Sequence, residues 1–248
     1  MTCLETQQLS LTAGQRQLIA GLNWMVNQGE FWCVLGKNGA GKSSLLHALA
    51  GLSNTYNGQV MIADQPLHQI TPNQLAKLRG LMLQQQSDTF AHTVFDAVAL
   101  GRTPYRFDAG WDSQSDVAMV SAALEQMGLS DRLHDSVTQL SGGERQRVAC
   151  AALLAQDPQV MLLDEPTSHQ DVAQQLMLMR ALQMLSQSHA VIASCHDIQL
   201  AARFATHVLL LGADRHWLGK VDEVLTIEAL EQAYGCRFQQ QASGFIAC

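Results

Sequence analysis

The chain has 248 residues, enough for one large domain or two small ones with a sizeable core. Its formal net charge of −7, with 15% charged and 47% hydrophobic residues, argues against a nucleic-acid partner held on a broad basic surface. No apolar block reaches the roughly 18–20 residues that span a bilayer, and the start, MTCLETQQLS, lacks the basic-then-apolar pattern of a secretory signal.

In chain order, LETQQLSL alternates weakly and predicts an antiparallel edge strand. FWCVL (Phe31–Leu35) predicts a buried strand, and Lys42–Ala50 a helix directly after it. GLML (Gly80–Leu83) is the next strand. From Gln86 to Gln139 no strand is evident; Val94–Leu100 and Asp112–Met127 read as helices, with Val117, Val120, Leu124 and Met127 as core positions and Gly101–Asp112 as a loop. Buried strands return at Val160–Leu163, Ala190–Ser194 and His207–Leu211, interleaved with helices at Asp171–Leu185 and Ile198–Phe204. Short, unbroken apolar strands followed by helices predict an α/β sheet covered on both faces. The middle third predicts a helical insertion at about residues 86–154, within a core of residues 1–85 and 155–248. Six scattered cysteines (Cys3, Cys33, Cys150, Cys195, Cys236, Cys248) contain no CxxC pair; three lie in apolar runs. Buried thiols of a reduced cytoplasmic protein are expected, not a disulfide framework or a zinc site.

GKNGAGKS, Gly36–Ser43, fits G-x-x-x-x-G-K-[ST] between a strand and a helix. Gly36, Gly39 and Gly41 let the loop curl so that backbone N–H groups face a phosphate. Lys42 is placed to reach the β- and γ-phosphates, and the Ser43 hydroxyl to join a Mg²⁺ shell. VMLLDEP ends a buried strand on two acids. Asp164 is expected to hold Mg²⁺ and Glu165 to polarise the attacking water; the bland alternative is a cap and first-turn acid. His196 ends another strand, where α/β ligands bind, and is placed to bind the γ-phosphate or position the water. Gln84 ends GLML on the same edge, for the metal shell or the water, with Gln85 and Gln86 as alternative registers.

QLSGGERQRVA raises a separate problem. Ser141 and Glu144 fit a capping box, yet Gly142 and Gly143 weaken the first turn by up to about 1 kcal/mol each relative to alanine. Close approach of the backbone to an anion would explain them.

With GKNGAGKS, Gln84, LSGGERQ, VMLLDEP and CHD in this order, the sequence resembles the nucleotide-binding subunits of ATP-binding cassette (ABC) transporters over essentially its whole length. The resemblance implies a P-loop NTPase (RecA-like) α/β core with an antiparallel β subdomain and a helical insertion. It implies ATP and Mg²⁺ as ligands. ATP would lie on Gly36, Lys37, Asn38, Gly39, Ala40, Gly41, Lys42, Ser43 and Ser44, with Mg²⁺ at Ser43, Gln84 and Asp164, and with Glu165, His196 and Gln84 catalytic. It also implies a head-to-tail homodimer in which Ser141, Gly142, Gly143 and Asp171 serve the partner's ATP. The pair would act on the cytoplasmic face of the membrane with permease subunits, and indirectly with a substrate-binding protein.

Two departures stand out. Ala13 replaces an aromatic residue that often stacks on adenine, leaving Arg16 as the neighbour for the base, and Gln170 replaces the leucine of Ser-x-Leu-Asp in SHQD. TVFDAVALGRTPY and ALEQAYGCRF resemble the ATPases of cobalamin and ferric-siderophore or haem importers, and QQQSDTF and DQPL lean towards the cobalamin type. Alternatives are a soluble ABC ATPase, for example in iron–sulfur assembly, a small-molecule kinase, or a binding-only relative.

Overall fold

A computed structural model describes residues 1–53, 55–84, 92–105, 113–168, 170–241 and 244–247. The chain opens with two long strands, β1 (Thr2–Ala13) and β2 (Arg16–Asn27), followed by β3 (Phe31–Gly36) and α1 (Lys42–Leu49). Next come β4 (Tyr56–Ile62), β5 (Gln65–Pro66), α2 (Pro72–Leu78) and β6 (Arg79–Met82). Three helices follow, α3 (Val94–Ala99), α4 (Gln114–Gln126) and α5 (Gly142–Gln156). The sheet resumes with β7 (Val160–Leu163), α6 (Val172–Leu185), β8 (Ala190–Ser194), α7 (Ile198–Phe204), β9 (His207–Leu211) and β10 (His216–Lys220). Two helices, α8 (Val221–Val224) and α9 (Ile227–Tyr234), lead to a hairpin of β11 (Phe238–Gln241) and β12 (Gly244–Ala247).

The main sheet runs β10-β9-β3-β8-β7-β6, parallel except for β10, which returns antiparallel on β9. Its strands read as unbroken apolar runs because both faces are covered. On β3, Phe31, Cys33 and Leu35 face one core, which also holds side chains of α3 to α7 and α9, while Trp32 and Val34 face another, shared with α1 and the second sheet. Strands β7, β8 and β9 alternate in the same way. Each such Leu, Val or Phe contributes about 1.5–3 kcal/mol by leaving water.

The second sheet is antiparallel, in the order β2-β1-β4-β5. This corrects the expected edge strand: β1 pairs on both sides and lies inside its sheet. Its weak alternation has a local cause, since Gln8 sits at φ 50 and the register shifts around it. Val117 is also corrected. It is 41% exposed, whereas Val120, Leu124 and Met127 are buried as expected. The loop expected at Gly101–Asp112 begins as a short 3₁₀ turn, Leu100–Tyr105, and its remainder lies outside the described residues, as do Gln85, Gln86 and the stretch to Phe90. Cys3, Cys33, Cys150 and Cys195 are buried free thiols, and Cys236 is exposed. Among the described residues no helix is long and apolar enough to cross a membrane.

Candidate functional site

Parallel strands deliver their carboxyl ends to one edge of the sheet, and β3, β6, β7 and β8 end side by side there. The loop after β3 enters α1 through Gly41, whose φ of 102 favours glycine. No side chain caps this helix, and its first internal bond is Leu45 N–H to Gly41 C=O, at 2.8 Å. The preceding N–H groups of Lys42, Ser43 and Ser44 thus have no acceptor within the helix, the arrangement that attracts a phosphate. Lys42 is 5% exposed and curls over its own loop, donating to Gly36 O at 2.9 Å and Lys37 O at 3.3 Å. Burial lowers its pKa, and the nearby Glu165 and Asp164 carboxylates oppose that shift.

The two acids follow β7, and neither caps a helix. The cap of α6 is Asp171, whose carboxylate accepts from Gln174 N–H at 2.9 Å. Asp164 is 3% exposed and accepts from the Ser194 hydroxyl at 2.7 Å. The same hydroxyl oxygen accepts from Glu165 N–H, also at 2.7 Å. Ser194 therefore fixes both acids from the end of β8. Glu165 is held at φ 49, a left-handed conformation that costs a non-glycine residue about 1–3 kcal/mol and clusters at functional sites. Its carbonyl accepts from Gln146 Nε2 of α5 at 3.1 Å and from Ser168 Oγ at 2.9 Å, contacts that keep this conformation in place.

The Glu165 carboxylate is gripped on both oxygens, Oε2 by Gln84 Nε2 at 2.6 Å and Oε1 by His196 Nε2. Lys42 Nζ stands 3.5 Å from His196 Nδ1. An ammonium only donates, so Nδ1 is the acceptor and the neutral ring carries its proton on Nε2, facing Glu165. Lys42, His196, Glu165 and Gln84 form one chain of contacts along the cleft.

That cleft encloses about 490 Å³ and is lined by Asn38, Gly39, Gly41, Lys42, Ser43, Ser44, Gln84, Glu165 and His196, together with Ala13, Arg16 and Leu18 from the β1–β2 region. Gly36, Lys37 and Ala40 belong to the same loop but are not among the lining residues, and neither is the buried Asp164. Ser141, Gly142, Gly143 and Asp171 do not line it. The capping box at Ser141 and Glu144 is formed. A Cβ on Gly143 would stand 2.4 Å from Gln174 Oε1, so this glycine has a neighbour within its own chain; one on Gly142 would meet nothing within 4 Å. Ser194 and Leu18 were not singled out by the sequence, and Gln146 entered only as the last residue of LSGGERQ, with no role assigned. Their contacts form only after folding. Gln170 donates to Pro166 O at 3.3 Å while its buried Oε1 has no partner among the described residues; His169 lies outside them.

The tail reaches the same loop. The Tyr234 hydroxyl is buried near the Gly36 backbone, without a hydrogen bond of normal geometry, and burial pushes its pKa up to about 12. An acid with a raised folded pKa holds its proton longer when folded. Its contribution is complete below about pH 10 and is lost as pH rises towards about 12, a change on the order of 2–3 kcal/mol. Tyr56 and Tyr105 shift the same way. Urea midpoints measured across that window should fall less steeply for Tyr234→Phe than for the wild type; equal slopes would contradict this burial.

An uncapped phosphate loop beside a strand-end acid pair defines a nucleoside-triphosphate-binding α/β protein. The ABC transporter family model matches residues 19–168. The chain is 39% identical over 235 residues to a hemin import ATP-binding protein of Deinococcus radiodurans, covering 92% of this chain and 88% of that one. It is 31% identical over 237 residues to an iron(3+)-hydroxamate import ATP-binding protein of Bacillus subtilis, covering 94% and 88%. A cobalamin import ATP-binding protein of Halobacterium salinarum is 34% identical over 237 residues, covering 94% and 59%. A solved chain of an inward-facing ABC transporter, assigned to the metal-chelate type, superposes with a TM-score of 0.83 at 27% identity, covering 100% of this chain and 96% of that one. The chain belongs to the ABC transporter family, as an ATP-hydrolysing subunit.

Proposed function

We propose that this subunit energises an importer of haem, a ferric siderophore or cobalamin, working as a head-to-tail homodimer under a membrane permease on the cytoplasmic face. One observation carries the ATPase site: Glu165, held at φ 49 with both carboxylate oxygens engaged, faces the same cleft as the uncapped start of α1. The loop N–H groups and Lys42 hold the β- and γ-phosphates. Glu165 accepts the proton of the attacking water, and His196 and Gln84 fix the carboxylate and the water.

The residues fit Mg²⁺ arriving with the nucleotide. Among the described residues no group of three His, Cys, Asp or Glu side chains could hold a metal alone, whereas Ser43, Gln84 and the buried Asp164 offer hard oxygen atoms beside the phosphate loop. Bound there, Mg²⁺ supplies positive charge to the β- and γ-phosphoryl oxygens. Gly142 has free space where a side chain would stand, which suits approach of a second copy's ATP to Ser141, Gly142 and Gly143, with Asp171 at the same seam.

The cargo class rests on relatives whose names give hemin, iron(3+)-hydroxamate and cobalamin import. The test is co-purification with candidate permeases, followed by ATPase assay with a cargo-loaded binding protein in each of the three classes. One class should stimulate hydrolysis. Failure of all three, with a permease bound, would contradict the cargo assignment.

A further inference from the structure

We propose that Glu144 and Arg132 gate the Ser141 contact: in the empty subunit the Glu144 carboxylate occupies both donors of Ser141, and Arg132 draws that carboxylate aside when a second copy's ATP arrives. The proposal rests on the head-to-tail reading and names the two positioning residues that ready its seam.

Ser141 has two donors to offer a phosphate, its backbone N–H and its hydroxyl. Both are taken. Glu144 Oε2 accepts from Ser141 N–H at 2.8 Å and from Ser141 Oγ at 2.7 Å. The backbone contact first, and then the hydroxyl contact, hold the Glu144 carboxyl below the usual carboxylate range, so it is an anion at neutral pH. A γ-phosphate seeks the same two donors, and it repels a carboxylate left between them. Phosphate and Glu144 Oε2 therefore compete for Ser141.

The other carboxylate oxygen shows where Glu144 can go. Oε1 faces Arg132 Nη2 at 3.5 Å, longer than an ordinary hydrogen bond. Arg132 is itself positioned by Asp135, which accepts from Nη1 at 2.9 Å. A guanidinium fork suits a carboxylate that swings fully onto it. Arg147, about one turn along α5, adds to the same positive field at Glu144. Departure of Oε2 does not uncap the helix. Ser141 Oγ still accepts from Glu144 N–H, at 3.3 Å here, while its O–H turns to the phosphate.

Light scattering on the full chain carrying Glu165→Gln tests this, read as the ATP concentration that converts half of the monomer to dimer. Adding Arg132→Ala should raise that concentration by about five- to fiftyfold, because Glu144 then stays on Ser141, and Arg132→Lys should recover part of the loss. Glu144→Ala should raise it by no more than about threefold, and Arg132→Ala combined with Glu144→Ala should match Glu144→Ala alone. A purely structural ion pair would behave otherwise, since removing either partner would weaken pairing alike. ATP affinity of the monomer, measured at protein concentrations too low for pairing, should be the same in every variant, and a circular dichroism melt checks that each folds. Equal losses from Arg132→Ala and Glu144→Ala would overturn the proposal. So would an unchanged Arg132→Ala, a double variant no better than Arg132→Ala, or a matching loss of monomer ATP affinity. If Glu165→Gln binds ATP yet never pairs, the head-to-tail reading itself fails and the gate falls with it.

Discussion

Replacing Glu165 with glutamine should lower kcat by about two to four orders of magnitude while ATP still binds. The substitution keeps the shape of the side chain and leaves the backbone held by Ser194 and Gln146. It removes the basic carboxylate. It also disturbs the grip on the side chain, because Gln84 and His196 both donate to Glu165 and an amide has only one oxygen to offer. His196 cannot simply exchange tautomers, since its Nδ1 faces the Lys42 ammonium. The loss should fall on kcat, with the dissociation constant for ATP changed by less than about tenfold. Single-turnover hydrolysis and equilibrium binding separate the two. A variant with near wild-type turnover would remove Glu165 from the chemistry.

Lys42→Ala should weaken ATP binding by about tenfold to a hundredfold, as expected from losing a charge-assisted contact in a buried setting. The effect on the empty protein should be small, because two contributions oppose each other. The variant takes the Lys42 donor from Gly36 O, while Lys37 O keeps Ala40 N–H at 3.1 Å, and it also removes a buried cation. The folded pKa of Lys42 is lowered by that burial, so the charge works against folding at neutral pH. That cost is relieved as pH rises from the folded pKa towards the ordinary lysine value of 10.5, and the variant should lack this rise. Wild-type melting should shift upward with ATP concentration, and the variant's much less. An unchanged ATP-dependent shift would contradict the phosphate cradle.

The main sheet was legible because its strands are short apolar runs ending on chemistry-bearing residues. Phe31–Leu35 leads into the phosphate loop, Val160–Leu163 into Asp164 and Glu165, and Ala190–Ser194 into His196. The second sheet was legible only in part: LETQQLSL marked one strand and the resemblance implied an antiparallel subdomain, but no pattern marked β2, β4 or β5. Strands β1 and β2 pair with register shifts that break simple alternation, and β4 carries Gly58, whose φ is 94. Side chains that act across long sequence separations were equally hidden. Ser194 reaches Asp164 across 30 positions, and Gln146 reaches Glu165 across 19. The glycine pair after Ser141 was read as a single feature and divides into two: Gly143 is crowded by Gln174 of its own chain, while Gly142 faces open space.

The proposed pairing of two copies around ATP is tested most directly by the mass of Glu165→Gln in light scattering, with and without ATP and Mg²⁺. The account predicts the 27.1 kDa monomer alone and twice that mass with nucleotide, reverting when Ser141 is also replaced by arginine. A variant that binds ATP yet stays at 27.1 kDa at every concentration would contradict the shared site.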